Sequence, residues 1–147
     1  MFNHENEITS FAFNLYRCAI AFRNELNREL SQVFGEDFSS DFWFILSVLW
    51  DEDNISHGQL AEKVSRDKAS LSRTLDIMEE KGFVKRISAA DDKRGSKIVL
   101  TKKSIEIKEK ALNVVNEFTN CELKGLSPIE VKELARMLNL IFSNIKG

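Results

Sequence analysis

Apolar residues recur at helical spacing over most of the chain, and they divide it into a few long segments. Ile8, Phe11, Leu15, Ala19, Phe22, Leu26, Leu30 and Val33 mark one stripe, which predicts a helix of about seven turns. The segment from Ser40 to Trp50 (Phe42, Trp43, Phe44, Ile45, Leu46, Val48, Leu49, Trp50) is apolar nearly all round, so burial on more than one side is expected. Thr101 is placed to cap a long helix carrying Ile105, Leu112, Val115 and Phe118 and ending near Gly125. Ser127-Pro128-Ile129-Glu130 opens another helix, because Pro suits the first helical position and Glu three residues after Ser completes a capping box. Its stripe is Val131, Leu134, Leu138, Ile141, Phe142 and Ile145. A helix this apolar has to pack against something.

Between these segments the pattern changes. Ser56 and Gln59 have capping-box spacing and introduce a short helix with Leu60, Ala61 and Val64. A polar turn, Ser65-Arg66-Asp67, leads to a second helix from about Lys68 to Lys81, with Asp67 as its N-cap and Gly82 as its stop. Two β-prone runs follow, Phe83 to Ile87 and Lys97 to Leu100, around a polar tip of Asp91, Asp92, Lys93, Arg94 and Gly95. Helix, turn, helix and charged hairpin make a winged helix-turn-helix. The predicted class is mainly α with a small β-hairpin wing.

The faces of the second helix are distinct. Leu71, Leu75 and Met78 fall on one side and should bury against the first helix. Arg73 lies nearly opposite, flanked by Ala69, Ser70, Asp76 and Ile77, with Lys68 and Ser72 at the margins. Small residues allow close approach to a major groove, hydroxyls bond base edges or phosphates, and Arg can grip guanine bidentately. An isolated helix with this face would read as ordinary solvated surface. The preceding helix and the basic hairpin turn the reading toward double-stranded DNA.

Charge supports this only when it is read regionally. The 147-residue chain has a formal charge of −2, which taken alone argues against nucleic acid. From Ile55 to Ser104 twelve Lys/Arg stand against seven Asp/Glu, a local +5, and the remainder has nine against sixteen, or −7. A basic module on an acidic body is the asymmetry of a protein that turns one face to phosphate. No run approaches a membrane span, and MFNHENEITS is too polar and acidic for a secretory signal, so no membrane partner and a cytoplasmic location are expected. Cys18 and Cys121 should then be reduced thiols. His4 and His57 lack metal-ligand spacing, Asp51-Glu52-Asp53 reads as a solvated loop, and Glu79 to Lys81 reads as the solvent side of a helix end. No catalytic constellation, metal site or cofactor motif is found.

The run LAEKVSRDKASLSRTLDIMEEKGFVKR from Leu60 to Arg86, followed by DDKRGSKIVLT from Asp91 to Thr101, resembles the MarR (multiple antibiotic resistance regulator) transcription factors. Their Asp-x-Arg wing core stands here as Asp92-Lys93-Arg94. Ser104 departs from the Gly usual in the family's LTxxG pattern, and at a helix start little consequence is expected. The resemblance implies one domain over residues 1–147, with a DNA-binding lobe at about 36–104 and helical dimerisation regions at about 5–35 and 105–147. It implies a homodimer on a pseudo-palindromic operator, with Phe11, Leu15, Val131, Leu134, Leu138 and Phe142 in the dimer contact. The candidate DNA contacts are Ser65, Lys68, Ala69, Ser70, Ser72, Arg73, Arg86, Asp92, Lys93 and Arg94.

Family members can release DNA on binding a small aromatic ligand, and Phe22, Trp43, Leu46 and Trp50 could line such a pocket or simply form core. Another branch senses oxidants through a first-helix Cys. Cys18 lies in that helix, but the sensing position aligns nearer Ala12, Arg17 should point elsewhere, and Cys18 borders the apolar stripe, where a buried thiol is inert. Two alternatives stay open: a winged-helix protein-interaction module that does not read DNA, and an oxidant-sensing repressor using Cys18.

Overall fold

The computed structural model describes residues 6–88 and 96–147. Helix α1 (Glu7–Phe34) starts where the Asn6 side chain accepts from the Thr9 amide, and α2 (Ser40–Asp51) is capped by Ser39. The short strand β1 (Ile55–Ser56) precedes α3 (His57–Lys63) and α4 (Lys68–Glu80). Strands β2 (Val84–Ser88) and β3 (Ser96–Leu100) follow, then α5 (Lys102–Glu106), α6 (Lys108–Glu122) and α7 (Pro128–Lys146). The sheet is antiparallel in the order β1-β3-β2, with Val84 opposite Leu100, Arg86 opposite Ile98 and Ile55 opposite Ile98 on the other edge. The mainly α class with a small β wing is the observed one.

Contacts divide the chain into a unit ending at Val115 and a unit spanning Asn116–Gly147. The first holds a continuous core. Leu26 and Leu30 of α1, Ile45, Leu46 and Leu49 of α2, Leu60 of α3, Leu71, Leu75 and Met78 of α4, Val84 of β2 and Ile98 of β3 are all buried. The periodic inner face predicted for α4 is thus the face that packs. The all-round burial predicted for α2 is only partly realised, because Phe44 is 43% exposed.

Three local expectations need correction. The single long helix after Thr101 is two helices, joined at Ile107, whose amide still bonds the Lys103 carbonyl. Ile105 and Leu112 are exposed, and the buried positions are Ser104, Ala111, Val115 and Phe118.

Ser104 in place of Gly also has a consequence. Its hydroxyl accepts from the Thr101 amide at 2.9 Å, completing a capping box, and its carbonyl accepts from the Trp50 indole at 3.1 Å. Finally, Asp51-Glu52-Asp53 is exposed but not idle. Asp51 ends α2, Glu52 pairs with Lys63 at 2.7 Å, and Asp53 accepts from the Leu100 amide at 2.9 Å, tying the wing to the end of α2.

In the second unit, α7 begins with the predicted capping box and Pro at its first turn. None of its residues is buried. Leu134, Leu138 and Phe142 are exposed, and Val131 and Ile141 are half-buried. A 19-residue helix with an open apolar stripe gains little from tertiary packing within this unit.

Candidate nucleic-acid interface

The turn between α3 and α4 is built by backbone geometry. The Ser65 amide bonds the Glu62 carbonyl and the Arg66 amide bonds the Ala61 carbonyl, the paired closure of a Schellman motif. That closure needs a left-handed residue, and Ser65 takes it with φ +53°. The end of α4 uses the same closure with Gly82 at φ +81°. A Cβ at such a φ costs about 1 kcal/mol, and non-glycine residues held there cluster at functional sites. Ser65→Gly is therefore expected to raise stability by up to about 1 kcal/mol in urea unfolding and to weaken DNA binding if the hydroxyl meets a phosphate. A destabilised variant would show that the turn is held by something other than this backbone preference.

Helix α4 starts at Asp67, whose carboxylate accepts from the Ser70 amide at 2.8 Å. That bond holds the Asp67 carboxyl below its ordinary pKa range, with the Arg73 charge as a smaller contributor. Lys68 and Ala69 are exposed in the first turn, and the Lys68 carbonyl lies 3.1 Å from His57 Nε2. Arg73 is exposed, and its guanidinium makes no hydrogen bond within the described residues. Ile77, one turn further, is 46% exposed. Ala69, Arg73 and Ile77, spaced four apart, form one open strip along the helix.

Both flanks of this strip are engaged by arginines. Arg66 Nη2 donates to the Ser70 hydroxyl at 2.7 Å and to the Thr74 hydroxyl at 2.9 Å. Arg86 Nη1 meets Asp76 at 2.6 Å, and its Nη2 donates to the Ser72 carbonyl at 2.8 Å. Of the ten candidate DNA contacts, Ser65, Lys68, Ala69 and Arg73 are open, Ser70 is bonded by Arg66, the Ser72 side chain is half-buried, and Arg86 is turned onto α4. Asp92, Lys93 and Arg94 lie outside the described residues. Sequence reasoning passed over Arg66. Its signal was slight: an Arg just before an N-cap, with hydroxyls at positions 70 and 74.

Elsewhere, α1 and α2 enclose a shallow concavity of about 170 Å³ lined by Phe22, Arg23, Leu26, Ser40, Asp41, Trp43 and Phe44. Phe22 and Trp43 were expected there. Leu46 and Trp50 are not among the lining residues: Leu46 points into the core, and the Trp50 indole is bonded to Ser104. Cys18 is exposed on α1 rather than buried, and the neighbouring Arg17 lies over the Phe13 ring at 5.4 Å. Among the described residues no cluster of His, Cys, Asp or Glu could hold a metal, and no helix is long and apolar enough to cross a membrane.

This arrangement of helices, turn and three-stranded sheet defines a winged helix-turn-helix protein. The MarR family model matches residues 38–96, which run from the start of the lobe to the first residue of β3. The chain resembles the MarR family over this lobe, about two-fifths of its length. It is similar to the transcriptional regulator PA3341, at 28% identity and TM-score 0.77 over 92% of this chain and 98% of that one. A cysteine-to-serine variant of MarR from E. coli, solved in complex with operator DNA, matches at 26% identity and TM-score 0.80 over 95% and 99% of the two chains. A MarR/EmrR family regulator from Acinetobacter sp. ADP1 has the same fold, with TM-score 0.83 at 24% identity over 96% and 98%.

Proposed function

We propose that this chain is a homodimeric, sequence-specific repressor that binds a pseudo-palindromic operator in the cytoplasm of a bacterial cell. The observation that carries the reading is the open strip of α4, with an uncommitted Arg73 between two flanks that are already bonded. Small side chains beside an exposed guanidinium suit a major groove. The likeness to E. coli MarR, solved on operator DNA, supports the same use of the lobe here. A two-fold pair doubles the readout of one helix, and the apolar stripes left open on α1 (Phe11, Leu15) and α7 supply surface for the pairing.

Release by a small aromatic ligand is supported by the α1–α2 concavity. Three of its seven lining residues are aromatic, Phe22, Trp43 and Phe44, and Arg23 supplies a cation beside them. At about 170 Å³ it is smaller than most drug-sized sites and suits a single ring.

Arg73→Ala tests the central reading. It is expected to cost roughly 1–3 kcal/mol of binding to a duplex selected by the parent protein, with a much smaller loss on unselected DNA. Titrations of the two duplexes at matched salt decide it. Equal affinity of parent and variant for the selected duplex would reject the reading strip.

A further inference from the structure

Arg86 is the second basic residue of GFVKR and sits on the wing strand β2, where a cation beside DNA would ordinarily be taken for a phosphate contact. Its surroundings say otherwise. The side chain is only 23% exposed, and its two terminal nitrogens are spent on α4: Nη1 on Asp76 at 2.6 Å and Nη2 on the Ser72 carbonyl at 2.8 Å. Its own backbone amide donates to Glu79 at 2.8 Å. Ser72, Asp76 and Glu79 are spaced four and three apart, so these bonds run along one flank of the helix. The strand side is equally fixed, because Arg86 is paired across the sheet with the fully buried Ile98.

Two consequences follow for a DNA reader. A planar guanidinium holding a carboxylate and a carbonyl at once fixes both the pitch and the roll of α4 against the wing. A lysine lacks that rigid fork and would hold the two acceptors in no fixed relation. Asp76, with 63% of its side chain exposed, stands beside the Ala69–Arg73–Ile77 strip and would repel phosphate if left unpaired. We propose that Arg86 is a positioning residue that locks α4 to the wing strand through Asp76 and Ser72, and that it makes no DNA contact of its own. This rests on the reading of α4 as the DNA-reading helix.

The test uses the full-length protein and two probes: a duplex it selects from random sequence, and poly(dI-dC) as unselected DNA. Arg86→Ala is expected to lose about 10- to 100-fold on the selected duplex, the size of a coupled pair, and only a few-fold on poly(dI-dC). The slope of log affinity against log salt should stay within half a unit of the parent's, whereas losing a phosphate contact would flatten it by about 0.9. Arg86→Lys should behave like Arg86→Ala. Asp76→Asn, a milder change that keeps the fold, should weaken selective binding in the parent and cost nothing further in the Arg86→Ala background. Rescue by Lys, a flattened slope, or equal losses on both probes that add to those of Asp76→Asn would overturn the proposal in favour of a direct phosphate contact. A parent that selects no sequence at all would reject the DNA reading itself, and the positioning role with it.

Discussion

Leu138→Asp is expected to convert a dimer into single chains and to abolish retention on the operator under conditions where the parent is saturated. Leu138 is 42% exposed on a helix with no buried residue, in line with Leu134 and Phe142. In a two-fold contact each substitution counts twice. Losing about 1.5–3 kcal/mol of apolar burial per subunit, with a carboxylate set in its place, weakens the pair by roughly 10²- to 10⁴-fold. Operator affinity should fall with it, because the second half-site is held at high effective concentration only while the subunits stay joined. Sedimentation at micromolar concentration, run beside operator titrations, checks both halves. A parent sedimenting near the 16.9 kDa of one chain, with its operator affinity intact, would remove the two-fold model.

The helices were legible because their signals are local. Ser56 with Gln59, Asp67, Gly82, and Ser127 with Pro128 and Glu130 all act over one turn, and each cap lies where the sequence placed it. Strand β2 runs one residue later than expected at both ends, since Phe83 closes the α4 terminus through the Met78 carbonyl and is not yet in the ladder, and β3 begins one residue earlier, at Ser96. Strand β1 was missed because two residues cannot show an alternation; only its pairing with β3 defines it.

In the site, the outward direction of Arg73 followed from helical periodicity. The commitment of Arg66 and Arg86 did not, because their partners are four to fourteen residues away and their charge alone reads the same whether the guanidinium faces protein or phosphate. Cys18 illustrates the same limit. Its place at the edge of an apolar stripe suggested burial, yet that part of α1 is open in the single chain.

The aromatic hub at Phe38 was invisible for a related reason: it sits in the connection between α1 and α2, outside either periodic segment. Its ring is 1% exposed and lies 4.7 Å from Phe34, 5.9 Å from Phe42 and 5.4 Å from Phe83. It therefore joins the end of α1, the start of α2 and the entry to the wing. Two ties surround the hub: Lys81 pairs with Asp37 at 2.9 Å, and the Lys103 ammonium lies 4.3 Å above the Phe83 ring.

Phe38→Ala is expected to cost about 3–5 kcal/mol, since three rings would line a cavity that the helices cannot close without moving their caps. Against the roughly 5–15 kcal/mol of a typical domain, that is a third or more of the total. Urea unfolding of parent and variant at the same protein concentration measures it, because the midpoint of any chain that pairs depends on concentration. The fraction still folded should bind the selected duplex normally, as Phe38 is buried among Phe34, Phe42 and Phe83 and is no part of the open strip of α4. A cost below about 1 kcal/mol would mean that the site collapses freely and that the hub is not what joins the wing to the helices.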